Sequence, residues 1–361
     1  MRKPKFSRFG FRPLAINGDE IFGYEAGWLI SVDFRLNQQQ RFVRAWSESR
    51  LHGVVARSRF FERVLRLGPS AAIFWNNQLF VAHRENIIRY DLLSRKVYLD
   101  FVVPSGRGVL SFSTVHINGE EWLVFGEYFA NPHREAVSIW GKSLATGRWS
   151  TFAGFPAGEI EHVHAVQEIR GEILVLTGDF DVAAGIWALN SSTRLLHPLI
   201  RGDQRIRSCY MHDLMSAIFF ATDTQLEENY LQILQKDEFR VSVKQIFKIP
   251  GSSIYSCSDG HNMTFSTAVE PGPSSSGFVL GMFDTKPGPG ILGDESWIFT
   301  ASSDGTIKTV FSARKDWIPM RLGQFGTFVF PSGTVPRGVI IAFGQAVRTW
   351  DGCCLVFEVD G

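Results

Sequence analysis

The stretch from His162 to Asp181, HVHAVQEIRGEILVLTGDFD, carries the pattern from which the fold is predicted. It indicates two short strands joined by a turn at Gly171, and the second strand holds four consecutive apolar residues before it ends at Asp179. Side chains two positions apart on a strand lie on the same face. His162 and His164 are therefore expected to point in the same direction.

The second strand of this unit recurs along the chain. Each copy is an apolar run that ends in a small residue followed by a polar or charged one, and the copies are at 20–25, 78–83, 122–127, 173–179, 217–223, 263–270 and 339–345. Spacings of roughly 45 to 55 residues suit four-stranded propeller blades. We predict an all-β fold, a β-propeller with seven blades, or six if the first copy is incomplete. A sandwich or two β domains is the alternative.

The rest of the chain is assigned around these blades. One propeller domain is predicted over residues 1–361, with a basic, frayed tail at 1–13 and a Pro/Gly/Ser-rich surface insertion at 271–295. Residues 38–67 are compatible with a short helix or with a strand and a loop. The short C-terminal unit, ending at Glu358, is expected to be completed by a strand from the N-terminal region, which closes the ring.

Composition excludes several classes of partner. Lysine and arginine number 37 and aspartate and glutamate 36, so no overall field attracts nucleic acid or an anionic membrane. No apolar run approaches the ~20 residues that a transmembrane helix needs, and the basic start lacks the apolar core of a signal peptide. The 4 cysteines show no CxxC spacing, which favours a reduced, cytoplasmic compartment. The oligomeric state is left open.

Propeller geometry predicts where a site lies. The ends of the second strands and the starts of the innermost strands gather at one face around the axis, so distant residues become neighbours. The second strands contribute Glu25, His83, Glu127, Asp179, Asp223, Glu270 and Gln345; the inner strands contribute Arg107, His162, His164, Arg207 and Tyr255. Crowded carboxylates raise one another's pKa values unless a cation neutralises them. The predicted ligand-binding residues are Arg107, Tyr128, Asn131, Arg134, Arg207, Tyr255 and Lys315. A structural ring of ion pairs, with Arg107, Arg134, Arg207 and Lys315 as partners, is the competing interpretation.

A second polar cluster follows the third repeat. The run from Phe125 to Arg134 places an acid, the phenol of Tyr128, the amide of Asn131 and a guanidinium at a strand end and its loop. Arginine binds carboxylates through two donors, and amides and acids bind hydroxyl groups. This mixture predicts contact with a polyhydroxylated, anionic ligand, while a capped hairpin is the structural alternative.

Two kinds of chemistry are compatible with the gathered residues. Paired carboxylates can hydrolyse a glycosidic bond, with one as acid and the other as base or nucleophile; the candidates are Glu127, Asp179, Asp223 and Glu270. His162 and His164 can hold a divalent metal with a nearby acid, or act in proton transfer. Buried histidines in an ordinary polar network are the alternative to a metal, and no other cofactor is indicated.

Several of these motifs together resemble the sialidase-like, BNR-repeat β-propeller proteins, especially bacterial glycoside-hydrolase-like members associated with polysaccharide biosynthesis. The resemblance rests on 125–134, 162–164, 177–179, 222–223 and 265–271. The Asp-box signature SxDxGxTW survives only in altered form at 143–149, and no arginine triad accompanies Glu127. The resemblance implies a propeller in a carbohydrate setting, with no named substrate.

The sequence therefore predicts a propeller whose axial pocket binds an anionic or polyhydroxylated saccharide or glycoconjugate and processes it in the manner of a glycoside hydrolase. A metal-assisted polysaccharide lyase or epimerase that uses His162 and His164 is the second hypothesis. A non-catalytic binding or scaffold propeller is the third.

Overall fold

A computed structural model describes residues 1–44, 58–179, 181–236, 241–272, 282–283 and 285–359. It contains seven antiparallel sheets, which are the predicted seven blades. In chain order the first three blades comprise β2–β5 (Phe11–Asn17, Glu20–Glu25, Trp28–Val32, Gln38–Arg44), β6–β9 (Ala71–Trp75, Gln78–His83, Asn86–Asp91, Lys96–Val102) and β10–β14 (Gly108–Val109, Ser113–Ile117, Glu120–Tyr128, Val137–Ser143, Trp149–Phe155).

The remaining four blades follow the same order from the inner to the outer strand. They comprise β15–β18 (His162–Ile169, Glu172–Gly178, Gly185–Leu189, Leu196–Arg201), β19–β22 (His212–Asp213, Ile218–Ala221, Asn229–Lys236, Val241–Ile249), β23–β26 (Ser256–Ser258, Asn262–Ser266, Glu295–Ser302, Ile307–Arg314) and β27–β29 (Thr327–Val329, Val339–Gln345, Cys353–Glu358) with β1 (Phe6–Phe9). Two short helices, α1 (Arg59–Val64) and α2 (Met320–Gly323), lie between blades.

The ring is closed by the N-terminal strand. β1 pairs antiparallel with β29, from Phe6 opposite Val356 to Phe9 opposite Cys353, so the seventh blade is built from both ends of the chain. The predicted completion of the C-terminal unit is confirmed. The predicted frayed tail is wrong for residues 6–13, because β1 and the start of β2 hold them in two blades. Because this segment is rich in basic residues, the sequence did not indicate a strand there.

The repeated apolar segments are the second strands of their blades. In β16, for example, every residue after Glu172 is buried, whereas the outer strand β18 contains no buried residue. Strands covered on both faces become continuously apolar, and here each is covered by the neighbouring blades. Apolar clusters accordingly lie between successive blades, such as the one that joins Val175 and Trp187 to Val124 and Ile139.

Residues 38–67 and the Pro/Gly/Ser-rich segment have definite places in the fold. Residues 38–67 contain both alternatives, since β5 and α1 lie at their two ends while 45–57 fall outside the described residues. The Pro/Gly/Ser-rich segment lies between the second and third strands of the sixth blade. Within the described residues, no helix has the length and apolar character needed to cross a membrane.

Candidate functional site

The fourth blade places two histidines at the start of its inner strand. His164 is the extra residue of a β-bulge between Val163 and Ala165. Bulges re-aim a side chain, and the His162 and His164 rings lie with their Nε2 atoms 3.1 Å apart. Gly178 lies across from them, and a methyl group there would be 2.2 Å from Cε1 of His164. The bulge and the glycine together bring the two imidazoles to one point.

Backbone carbonyls orient both imidazoles. Nδ1 of His162 is 3.0 Å from the carbonyl oxygen of Phe129, and Nδ1 of His164 is 3.0 Å from that of Ser208. A carbonyl accepts, so each Nδ1 carries the proton that it donates. In the neutral rings both Nε2 atoms then present lone pairs toward each other.

Asp179 completes this convergence. Its Oδ1 lies 3.3 Å from Nε2 of each histidine and 2.8 Å from Nη2 of Arg207. Burial acts to raise the pKa of Asp179, but hydrogen bonds from His162 and His164, which require a proton on Nε2, and the charge of Arg207 hold it well below its usual value. Three lone-pair atoms thus meet within 3.3 Å, an arrangement that requires a shared proton or a cation between them.

Arg207 connects this group to a second acid. Its Nη2 is 3.4 Å from Oδ2 of Asp223, and the two carboxylates hold the pKa of the guanidinium above its usual value although burial acts to lower it. Oδ1 of Asp223 is buried and has no hydrogen-bond partner among the described residues. One guanidinium faces the two carboxylates Asp179 and Asp223, so with neutral imidazoles this group carries a net negative charge.

Cys209 was not predicted from the sequence. Its Sγ lies 3.3 Å from Oδ2 of Asp223 and 3.6 Å from Nδ1 of His164, so His164, Cys209 and Asp223 form a second possible ligand group. That group requires a lone pair on Nδ1, which already donates to Ser208. Burial also raises the pKa of Cys209 well above its usual value. The first group, His162, His164 and Asp179, is therefore the better metal site.

The ring of Tyr128 packs against the two histidines. Its ring centroid is 4.4 Å from that of His162, and the residue is 37% exposed, whereas the two histidine side chains are 5% and 1% exposed. Burial, together with the charge of Asp179, raises the pKa of its phenol well above the usual value. Tyr128 therefore carries a neutral hydroxyl group beside the histidine cluster.

The contacts of Glu127 are those of the structural role that was the alternative to catalysis. Its carboxylate accepts from Nη1 of Arg107 at 2.6 Å, from the Ser138 backbone at 2.9 Å and from Nε1 of Trp140 at 3.0 Å. Both oxygens are occupied and the residue is buried. These contacts favour the structural interpretation, while the catalytic role of Glu127 and ligand binding by Arg107 stay predictions.

The other predicted ligand contacts lie in different surroundings. The amide of Asn131 donates to the carbonyls of Glu135 and Glu161 and accepts from the Glu135 backbone, which fixes the loop. Lys315 donates to Asp316 and to the Ile318 carbonyl, away from the histidines. Arg134 is half-buried in a turn with φ of 50°, and its charge acts on Glu161. Tyr255 lines the axial cavity.

Glu270 is held in its protonated form. Burial raises its pKa to about 8, with the charge of Asp223 adding to the shift, and Oγ of Ser252 donates to it. In the unfolded chain its pKa would be about 4.3. At pH values between these two pKa values, the folded protein therefore retains a proton that the unfolded chain has released. The free energy of unfolding consequently falls as the pH rises through this range.

We expect Glu270→Gln to flatten that pH dependence. Denaturant titrations at about pH 5 and about pH 8.5 should show the wild type losing up to a few kcal/mol relative to the variant at the higher pH. Asp304→Asn, an exposed acid outside the cluster, serves as the control. Equal pH dependence in Glu270→Gln and the wild type would mean that Glu270 is ionised throughout.

Comparisons with known proteins support the fold alone. No protein-family model matches the chain, and no curated protein matches it in sequence. The β-propeller domain of Cps50 (Swd1) from Myceliophteria thermophila is similar with a TM-score of 0.54 and 9% identity, over 100% of this chain and 98% of that one. A chain from the crystal structure of a mitotic checkpoint complex is similar with a TM-score of 0.57 and 8% identity. The match covers 99% of this chain and 92% of that one.

A third similar structure is the extracellular domain of the putative hybrid two component system BT4673 from B. thetaiotaomicron. Its TM-score is 0.52 at 11% identity, and the match covers 98% of this chain but 40% of that one. At such identities the shared property is the propeller architecture. The predicted likeness to sialidase-like proteins stays a prediction.

Proposed function

We propose that His162, His164 and Asp179 form a divalent metal centre, and that the protein uses it for acid–base chemistry on an anionic, polyhydroxylated saccharide. The observation that carries this proposal is the convergence of two Nε2 atoms and one carboxylate oxygen at mutual distances of 3.1, 3.3 and 3.3 Å. Ligand atoms around a tetrahedral zinc ion with bonds near 2.0–2.1 Å are separated by about 3.3 Å.

The surroundings favour a cation in two ways. Metal-binding histidines usually donate their other ring nitrogen to a carbonyl or carboxylate, which fixes the tautomer; His162 and His164 both do so. The net negative charge left by Asp179, Asp223 and a single Arg207 also favours a positive ion. A shared proton on one imidazole is the competing state, and metal titration distinguishes the two.

Three protein ligands leave a coordination position for a substrate oxygen. The ring of Tyr128 packs beside His162, and the side chain of Asp179 is 21% exposed. A metal there would polarise a sugar carboxylate and favour loss of the adjacent proton. Expulsion of the neighbouring glycosidic oxygen would complete a lyase reaction, and return of a proton to the opposite side would complete an epimerisation. With its neutral phenol, Tyr128 is the candidate to donate a proton to the leaving glycosidic oxygen or back to the carbon, while solvent water takes the proton that is lost.

Glycoside hydrolysis is the second candidate. Its support is that Asp223 and Glu270 lie close enough to interact, with Glu270 protonated at neutral pH, as a general acid must be. Both residues are nearly fully buried, at 3% and 7% exposure, which limits substrate access. The Glu127 carboxylate already accepts three hydrogen bonds, which further weakens this candidate. We therefore prefer the metal-assisted reaction.

The test is metal binding by chelator-stripped protein. Competition with a chromogenic chelator should give a single tight zinc site, and cobalt substitution should give the absorption bands of a low-coordinate site. His162→Ala and His164→Ala should each weaken zinc binding by about 100-fold or more. His116→Ala, at an exposed histidine paired with Glu168, should leave binding unchanged. Circular dichroism would confirm that each variant is folded.

Activity is tested separately with the zinc-loaded protein. Uronate-containing polysaccharides should yield unsaturated products detectable by ultraviolet absorbance, or epimerised residues detectable by NMR. Stripped protein and His164→Ala should yield neither. Absence of a zinc site in the wild type would remove the proposed centre. A zinc site without turnover on any saccharide would leave a non-catalytic binding or scaffold propeller.

A further inference from the structure

The axial channel contains a cation that the proposed metal centre does not use. A cavity of about 370 Å³ runs between the inner strands of the blades and is lined by Arg12, Ser111, Gln167, Cys209, Tyr255 and Ser256, among others. Arg12 lies at the start of the inner strand of the first blade. Cys209 lines the cavity and also contacts His164, so the cavity adjoins the metal-binding cluster.

Arg12 lacks a dedicated acidic partner. No described residue forms a hydrogen bond or ion pair with its guanidinium, and its Nε is buried without a partner. Its nearest aromatic neighbour is Phe343, with the ring centroid 5.9 Å from Cζ. Glu62, the closest acid in electrostatic influence, is already bonded to Arg59 at 3.0 Å.

The acids in the region of Arg12 already form ion pairs with other cations. In the described part of this region the carboxylates are already shared among other cations through ion pairs of Arg59 with Glu62 and Asp351, of Arg63 with Asp316 and Asp351, and of Lys315 with Asp316. Arg12 is a further cation, near Glu62 but without an ion pair among the described residues. A buried, unpaired charge costs several kcal/mol, and a bound anion would remove that cost.

Gly68 leaves room for the guanidinium next to the helix α1. A methyl group at Gly68 would lie 2.9 Å from Nη1 of Arg12 and 3.2 Å from Oε1 of Glu62. Tyr255 lines the same cavity and carries a neutral phenol, because burial raises its pKa. Arg12 and Tyr255 line the same cavity and influence each other electrostatically, and a guanidinium together with a phenol hydroxyl suits a carboxylate.

We infer that Arg12 and Tyr255 form an anion-binding subsite in the axial channel, which takes the carboxylate of an acidic saccharide. The saccharide part of this inference rests on the proposed function, whereas the anion site does not. A ligand held by Arg12 would extend along the channel toward Cys209 and the metal-binding cluster. The subsite thus specifies charge at one end of the ligand while the metal centre acts on the other.

Calorimetric titration of chelator-stripped protein with D-glucuronate, D-glucose and inorganic phosphate tests the inference. Glucuronate should bind at least about 10-fold more tightly than glucose, as expected for a charge-assisted contact. Arg12→Gln should lose about 10- to 100-fold in glucuronate affinity, and Tyr255→Phe a smaller factor. Arg35→Gln, at an exposed arginine of the same blade, should bind like the wild type.

The outcomes separate this inference from the metal centre. Arg12→Gln should retain the zinc affinity of the wild type, and His164→Ala should retain glucuronate binding. Equal glucuronate affinity in Arg12→Gln and the wild type, or no binding of any anion by the wild type, would overturn the subsite. Phosphate binding with no preference for glucuronate over glucose would overturn its assignment to a saccharide. Tyr255→Phe provides the readout if Arg12→Gln does not fold.

Discussion

Replacing Glu127 by alanine is expected to destabilise the protein by about 3–5 kcal/mol, because it removes one partner of a buried ion pair. The variant would leave Arg107 without its 2.6 Å contact and Nε1 of Trp140 without an acceptor. Denaturant unfolding monitored by tryptophan fluorescence measures this loss. Zinc binding by the folded fraction should be unchanged, because Glu127 contacts neither His162 nor His164.

Glu135→Ala is the matched control for Glu127. Glu135 also binds Arg107, at 2.9 Å, but its side chain is 64% exposed. Exposed ion pairs contribute about 0–1 kcal/mol, so this variant should be nearly as stable as the wild type. If Glu127→Ala were stable and lost only turnover, the catalytic role predicted from the sequence would be supported.

The fold was predictable because its pattern is local. Each second strand is buried between two neighbouring blades. Because both of its faces are covered, every repeat contains a continuous apolar run. The blade count and the closure by an N-terminal strand followed from these runs. The strand Phe6–Phe9 was not recognised as a strand because its half-buried positions, Phe6 and Arg8, and its exposed ones, Ser7 and Phe9, do not separate apolar from polar residues.

The site was predictable only in part. The two-residue spacing of His162 and His164 gave their shared direction, and the repeat placed Asp179 at the same face. Glu127 and Tyr128 are adjacent on one strand, so they point to opposite faces, and strand-end alignment could not tell which one faces the histidines. Cys209 reaches His164 across a blade boundary. Such contacts depend on side-chain packing that no periodicity encodes.

Gly178→Ala is expected to weaken zinc binding by about 10- to 100-fold, by displacing a ligand without removing it. The new methyl group would lie 2.2 Å from Cε1 and 2.5 Å from Nε2 of His164. His164 is buried and bonded to the Ser208 carbonyl, so its ring cannot move aside without losing that bond. The convergence with His162 and Asp179 would be lost. Overpacking of this kind costs about 1–3 kcal/mol of stability.

Gly141→Ala separates the effect on the metal from the effect on folding. A methyl group there would lie 2.7 Å from Cδ2 of Phe152, in the third blade and outside the cluster. We expect a comparable loss of stability in both variants but weaker zinc binding only in Gly178→Ala, measured by chelator competition. Wild-type zinc affinity in Gly178→Ala would show that the position of the His164 ring does not govern the site. In that case the segment Thr177–Asp179 would contribute to the metal site only through the carboxylate of Asp179.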